Sequence, residues 1–136
     1  MKKVLSLIAC IMTLPALAQV HEITTQADFQ KYVLESRLPV IIDVYSDTCG
    51  PCKRMAPLFN QLSKQYQGTV QFVKMCIQKT NVWAQLDQQG AIRKVPTFIA
   101  WFNGNEVLPR LTGEVSTQVF NNTIAQLLEI SSEQQN

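Results

Sequence analysis

The run Pro39-Val40-Ile41-Ile42-Asp43-Val44-Tyr45 constrains the fold more than any other segment. β-Branched residues stand at nearly every position rather than at alternate ones, so a strand here has no polar face to offer to water. Both of its faces need cover, which places it in the interior of a sheet with an element packed on each side. Asp43 is out of place in such a strand. A buried carboxylate is costly unless it is paired or its pKa rises toward neutrality. The pattern changes directly afterwards. From Pro51 onward Met55, Leu58, Phe59, Leu62 and Tyr66 recur at spacings of three and four, which predicts a helix, with Pro57 inside it as a kink.

The other elements follow by the same reasoning. His21 to Thr24 reads as a short first strand, and Thr25-x-x-Asp28 as a helix start with Phe29, Tyr32 and Val33 on one face. Gly68 precedes a strand from Val70 to Ile77, whose alternation puts Phe72, Lys74 and Cys76 on one side and Val73, Met75 and Ile77 on the other. A shorter helix over Asn81 to Gln89 ends at Gly90. Thr97 to Phe102 is a strand, Asn103-Gly104-Asn105 a hairpin turn, and a last strand lies around Val107 to Leu111 before Gly113 breaks it. Val119, Phe120, Ile124, Leu127 and Leu128 make an amphipathic terminal helix, with a frayed polar tail from Ser131 to Asn136. The order β-α-β-α-β-α-β-β-α predicts an α/β fold: a central mixed β-sheet, parallel early and closed by an antiparallel hairpin, flanked by helices on both faces.

Residues 1–18 stand apart. Lys2 and Lys3 precede an apolar run from Val4 to Leu14, and Pro15 breaks it before Ala16-Leu17-Ala18. This is the layout of a secretory signal peptide cleaved after Ala18, leaving one domain over residues 19–136 and an exported protein, periplasmic in a Gram-negative host. The alternative is a lipoprotein anchored through Cys10 by the lipobox-like Leu7-Ile8-Ala9-Cys10. Fewer apolar residues precede Cys10 than such a signal needs, so cleavage after Ala18 is the reading taken. Without Lys2 and Lys3, ten basic residues face ten acidic ones, interspersed, so neither nucleic acid nor an acidic membrane surface is expected as a partner.

Export leaves Cys49, Cys52 and Cys76, an odd number that allows at most one internal disulfide. Cys49-Gly50-Pro51-Cys52 spans the end of the buried strand and the first turn of the helix. Two cysteines three apart there face the same side within bonding reach. Free N–H groups and the positive dipole end favour thiolate over thiol, chiefly at Cys49 on the tip, while Cys52 lies deeper. Pro51 starts the helix without losing a needed donor. These features make Cys49 the attacking thiolate and Cys52 the resolving thiol of a disulfide exchange. A structural staple closing so small a loop would stabilise little. Zinc would need further ligands, and only His21 and Cys76 remain, so no metal and no cofactor is expected. Lys74 on the neighbouring strand is the candidate partner of Asp43, either in a structural ion pair or beside an acid that passes protons through water to and from Cys52. Cys76 reads as a small buried filler.

Asp43-x5-Cys49-Gly50-Pro51-Cys52-Lys53, Ala56-Pro57, Lys74, Val95-Pro96-Thr97 and Gly113 together resemble the thioredoxin family, in order and spacing across residues 20–130. The resemblance implies a thioredoxin fold, a redox-active Cys49–Cys52 disulfide, Asp43 as the buried acid and a cis Val95–Pro96 bond against the cysteine pair. It also implies a shallow apolar groove in which Gly50, Pro51, Val95, Pro96 and Gly113 bind an extended substrate segment. Cys49, Cys52, Asp43 and Lys74 are thus the candidate catalytic residues. Two positions depart from the family: Thr48 and Tyr45 stand where thioredoxins usually carry Trp, which makes the surroundings of Cys49 more polar. The expectation is a monomeric exported thiol–disulfide oxidoreductase that reduces disulfide-containing client proteins and is recharged by a membrane electron donor. Alternatives are net oxidation or isomerisation of secreted disulfides, or a binding module that has kept the fold without the chemistry.

Overall fold

The structure, a computed structural model, describes residues 19–87 and 92–136. The expected signal segment with Cys10, and the helix end at Gly90, lie outside the described residues. Six strands, β1 (His21–Glu22), β2 (Val40–Tyr45), β3 (Gln71–Cys76), β4 (Thr97–Phe102), β5 (Asn105–Glu106) and β6 (Leu111–Thr112), form one sheet in the order β1-β3-β2-β4-β5. β6 also pairs with β4. β1, β3 and β2 run parallel, and β4 lies antiparallel to β2, β5 and β6. This is the mixed sheet the sequence predicts, with β2 at its interior.

Each face of β2 is covered as its composition demands. Val40, Ile42 and Val44 join Phe29, Val33, Val73, Met75 and Ile99 in one core. Ile41 faces the other, where α2 (Gly50–Gln65) and α3 (Thr117–Gln134) contribute Met55, Phe59, Leu62, Phe120, Ile124 and Leu127. Four rings hold α2 down: Phe59 lies 5.1 Å from Phe72, 5.9 Å from Phe98 and 6.3 Å from Phe120, centroid to centroid. Full burial of one such ring contributes roughly 1.5–3 kcal/mol. The alternation along β3 is as expected, with Phe72 on the α2 side and Val73 and Met75 on the opposite one.

Several boundaries differ from expectation. The first helix, α1 (Gln26–Phe29), opens on the Thr25/Asp28 capping box but continues as a wider π-helical turn over Gln30–Leu34. The segment after β3 is a short 3₁₀ turn, Val82–Gln85, rather than an α-helix. The last strand is split into β5 and β6, with Pro109, which has no N–H to give the ladder, between them. At the hairpin, Asn103 and Gly104 both take positive φ, 49° and 79°, as a tight two-residue turn requires. α3 runs on to Gln134, and Ser131 is buried in it with its hydroxyl on the Leu128 carbonyl, so the tail expected to fray from Ser131 is helical. No helix among the described residues is long and apolar enough to cross a membrane.

Candidate active site

β2 ends at Tyr45, and a tight polar turn hands the chain to α2. Ser46 Oγ accepts the Thr48 N–H, and the Cys49 N–H donates to the Ser46 carbonyl. The Gln78 side chain braces the turn from outside: its Oε1 accepts the Asp47 N–H at 2.9 Å, and its Nε2 donates to Thr48 Oγ1 at 3.4 Å. Cys76, fully buried, donates its S–H to the same Gln78 Oε1 at 3.1 Å, in keeping with a filler that carries no exchange chemistry.

Cys49 is the N-cap of α2, with Pro51 just inside the helix. A disulfide joins Cys49 to Cys52. The Cys52 N–H donates to Cys49 Sγ at 3.1 Å, so an otherwise orphaned helix donor is aimed at the outer sulfur. Once the pair is reduced, that bond favours thiolate at Cys49. Cys49 is half-buried and Cys52 is buried, the order of access expected for attacking and resolving thiols.

The Val95–Pro96 peptide is cis, and the Val95 carbonyl oxygen lies 3.5 Å from Cys49 Sγ. The Pro96 carbonyl accepts the Gly113 N–H at 2.8 Å, which joins the start of β4 to the end of β6. Gly113 takes φ 79°, a conformation that an L side chain rarely adopts. Gly50 and Pro51 lie between the two cysteines and the Val95 carbonyl lies against Cys49, with Pro96 and Gly113 joined to this loop by their backbone bond.

Asp43 sits on the α2 side of β2, between Phe98 of β4 and Lys74 of β3 in register. It is 7% exposed, and its Oδ1 has no hydrogen-bond partner among the described residues. Burial pushes its carboxyl up to about 7, against a smaller lowering by the Lys74 ammonium. The structural Asp43–Lys74 ion pair, one of the two arrangements open from sequence, is not among the ion pairs of the described residues. Lys74 Nζ lies instead 3.9 Å from Glu22 Oε2 and 5.6 Å above the Tyr45 ring. β1 explains why: its register places Glu22 beside Lys74, in water's reach, where charges pair at lower cost than in the core. Glu22 also accepts the Tyr45 hydroxyl at 2.7 Å and lies 3.5 Å from Lys79. Partial burial raises the Glu22 carboxyl, but the Tyr45 hydroxyl, Lys74 and Lys79 outweigh it, and the net shift is downward.

Sequence reasoning missed Glu22, and it missed the rim. Arg54 on α2 pairs with Glu114, bridging the cysteine helix to the segment after Gly113. Only the i,i+4 placement of Arg54 one turn beyond Gly50 hints at this; its partner is sixty residues away. No three His, Cys, Asp or Glu among the described residues are grouped to hold a metal ion.

Known proteins resemble this arrangement at three levels. The Thioredoxin family model matches residues 20–126. A thioredoxin of Synechocystis sp. is 33% identical over 104 residues, covering 76% of this chain and 94% of the relative. A thioredoxin of Rickettsia felis is 37% identical over 82 residues, 60% of this chain and 75% of its own length. Among solved structures, the Malassezia sympodialis thioredoxin superposes with a TM-score of 0.67 at 27% identity, covering 81% of this chain and 91% of that one.

Proposed function

The chain belongs to the thioredoxin family and is a protein-disulfide oxidoreductase, and from that premise we propose that it is exported and there reduces disulfides of client proteins. The observation that carries the exchange chemistry is the pairing of a helix-capping Cys49, which receives the Cys52 N–H, with a buried Asp43 whose carboxyl burial pushes up to about 7. The reducing direction is read from Gly50-Pro51 between the cysteines together with the buried Asp43, which resemble reducing thioredoxins. Cys49 thiolate attacks one sulfur of the client disulfide, a mixed disulfide forms, and the other client sulfur leaves and takes a proton. Asp43 carboxylate accepts the Cys52 proton through a water. Cys52 then attacks Cys49 Sγ, expels the second client thiolate and closes the Cys49–Cys52 disulfide. Two electrons have passed to the client, and an outside dithiol must return them. For an exported protein that donor is a membrane electron transporter. Export rests on residues 1–18, whose charge, apolar run and Ala16-Leu17-Ala18 site have the layout of a signal peptide.

The test is the reduction potential of the Cys49/Cys52 pair against glutathione, together with insulin reduction driven by dithiothreitol. A potential more reducing than glutathione's with catalysed insulin reduction is expected. A strongly oxidising potential would make the protein a net oxidase or isomerase, and no catalysis at all would leave a binding module.

A further inference from the structure

The rim of the disulfide carries more positive charge than the chain as a whole. Lys53 and Arg54 lie on the first turns of α2, and Arg93 and Lys94 precede the cis bond, whereas residues 19–136 balance ten basic against ten acidic residues. The acids of the neighbouring segments are already engaged, Asp87 by the Ile92 N–H at 2.6 Å. Glu114 is held by Arg54, and Asp47 lies 3.7 Å from Lys79. Lys94, exposed, has no ion-pair partner among the described residues.

Its position matters more than its charge. A β-carbon built on Gly113 would lie 3.5 Å from Lys94 Nζ and 3.6 Å from Cε, so the ammonium lies in van der Waals reach of that position, on the residue before Val95. Behind Val95 opens a cavity of about 130 Å³, walled by Ile77, Trp83, Ile92 and Val95 with Arg93 and Lys94 beside them. Apolar walls beside the Lys94 ammonium fit an apolar side chain with a carboxylate next to it in sequence.

We propose that this surface selects acidic clients: a client segment crossing Cys49 between Val95 and Gly113 sets a carboxylate against Lys94 and an apolar side chain in the cavity behind Val95. The inference rests on the client-reductase reading above. Lys94 then acts as a specificity-determining residue, while the exchange chemistry stays with the cysteines.

Three disulfide peptides, identical except for Asp, Asn or Lys beside one cysteine, would test this in single-turnover exchange with the reduced protein. Each rate constant is divided by that for dithiothreitol, which removes the peptide's own reactivity. At low salt the Asp peptide is expected to react about threefold faster than the Asn peptide and about tenfold faster than the Lys peptide, with the preference collapsing in about 0.5 M KCl. Lys94→Gln should abolish most of it. Equal normalised rates for the three peptides, or a preference that survives Lys94→Gln, would overturn the inference. The neutral 2-hydroxyethyl disulfide separates the two levels: if the wild-type protein does not reduce even that, the reductase reading itself has failed.

Discussion

At the scale of single residues, the site depends on where one proton and one charge reside. Asp43 has a desolvated carboxyl beneath the cysteine helix, with one oxygen unpartnered among the described residues, and burial places its titration at about 7. Asp43→Asn is therefore expected to slow resolution of the mixed disulfide about tenfold or more near pH 8, while removing the inflection near pH 7 from the rate profile. Stopped-flow exchange against pH measures this, and an unchanged profile would make Asp43 structural. Lys74 lowers the Asp43 carboxyl without pairing to it. Lys74→Met should therefore move the same inflection upward with the fold intact. Cys52→Ser should accumulate mixed disulfides through Cys49, readable by mass spectrometry of the adducts. Adducts on Cys76, which is fully buried and bonded to Gln78, would contradict the assignment of roles.

At the scale of elements, the geometry rests on α2 being pinned by its ring cluster. Phe59→Ala removes the ring that touches Phe72, Phe98 and Phe120 together. Urea unfolding should show a loss of about 3–5 kcal/mol. Loss of the Thr25 cap by Thr25→Ala should cost about 1 kcal/mol by contrast, because it frees one exposed N–H donor. Such local features were legible in the sequence. The β-branched run of β2, broken only by Asp43, announced its two covered faces, and Thr25-x-x-Asp28 announced its helix. Features fixed by register were not legible. Lys74 meets Glu22 rather than Asp43 because β1 pairs in parallel with β3, a contact that no local period encodes. Lys94 lies within reach of Gly113 because the loop before Pro96 and the end of β6 are bonded across seventeen residues. The cis Val95–Pro96 bond was expected only through the family resemblance, since most X–Pro bonds are trans.

At the scale of the whole molecule, the same buried acid sets how stability varies with pH. The folded carboxyl of Asp43 titrates at about 7 and an unperturbed one at 3.8, so between these values the native state binds more protons than the unfolded state. Unfolding free energy then falls as pH rises through that window and levels off above it, a loss of up to about 4 kcal/mol for a shift of this size. Two carboxyls act in the opposite sense. Asp28, lowered to about 2 first by the Thr25 hydroxyl and then by backbone N–H groups, and Glu22, lowered overall, contribute stability that is lost as pH falls below the ordinary carboxylate range. His21, lowered mainly by burial and then by Lys31, also costs stability on acidification, because the unfolded imidazole takes its proton first. His21, Glu22 and Asp28 are all partly exposed, whereas Asp43 is almost wholly buried, and its contribution decides the slope between pH 5 and 8. The oxidised protein should therefore be most stable near pH 5 and weaken toward pH 8, unlike a domain whose carboxylates are all paired. Asp43→Asn should flatten that slope and leave the variant more stable than wild type by roughly 2–4 kcal/mol at pH 8. Urea midpoints at pH 5 and pH 8 for both proteins measure it. Parallel slopes would mean that Asp43 carries no ionisation strain, and its place in the proton path of Cys52 would fall with it.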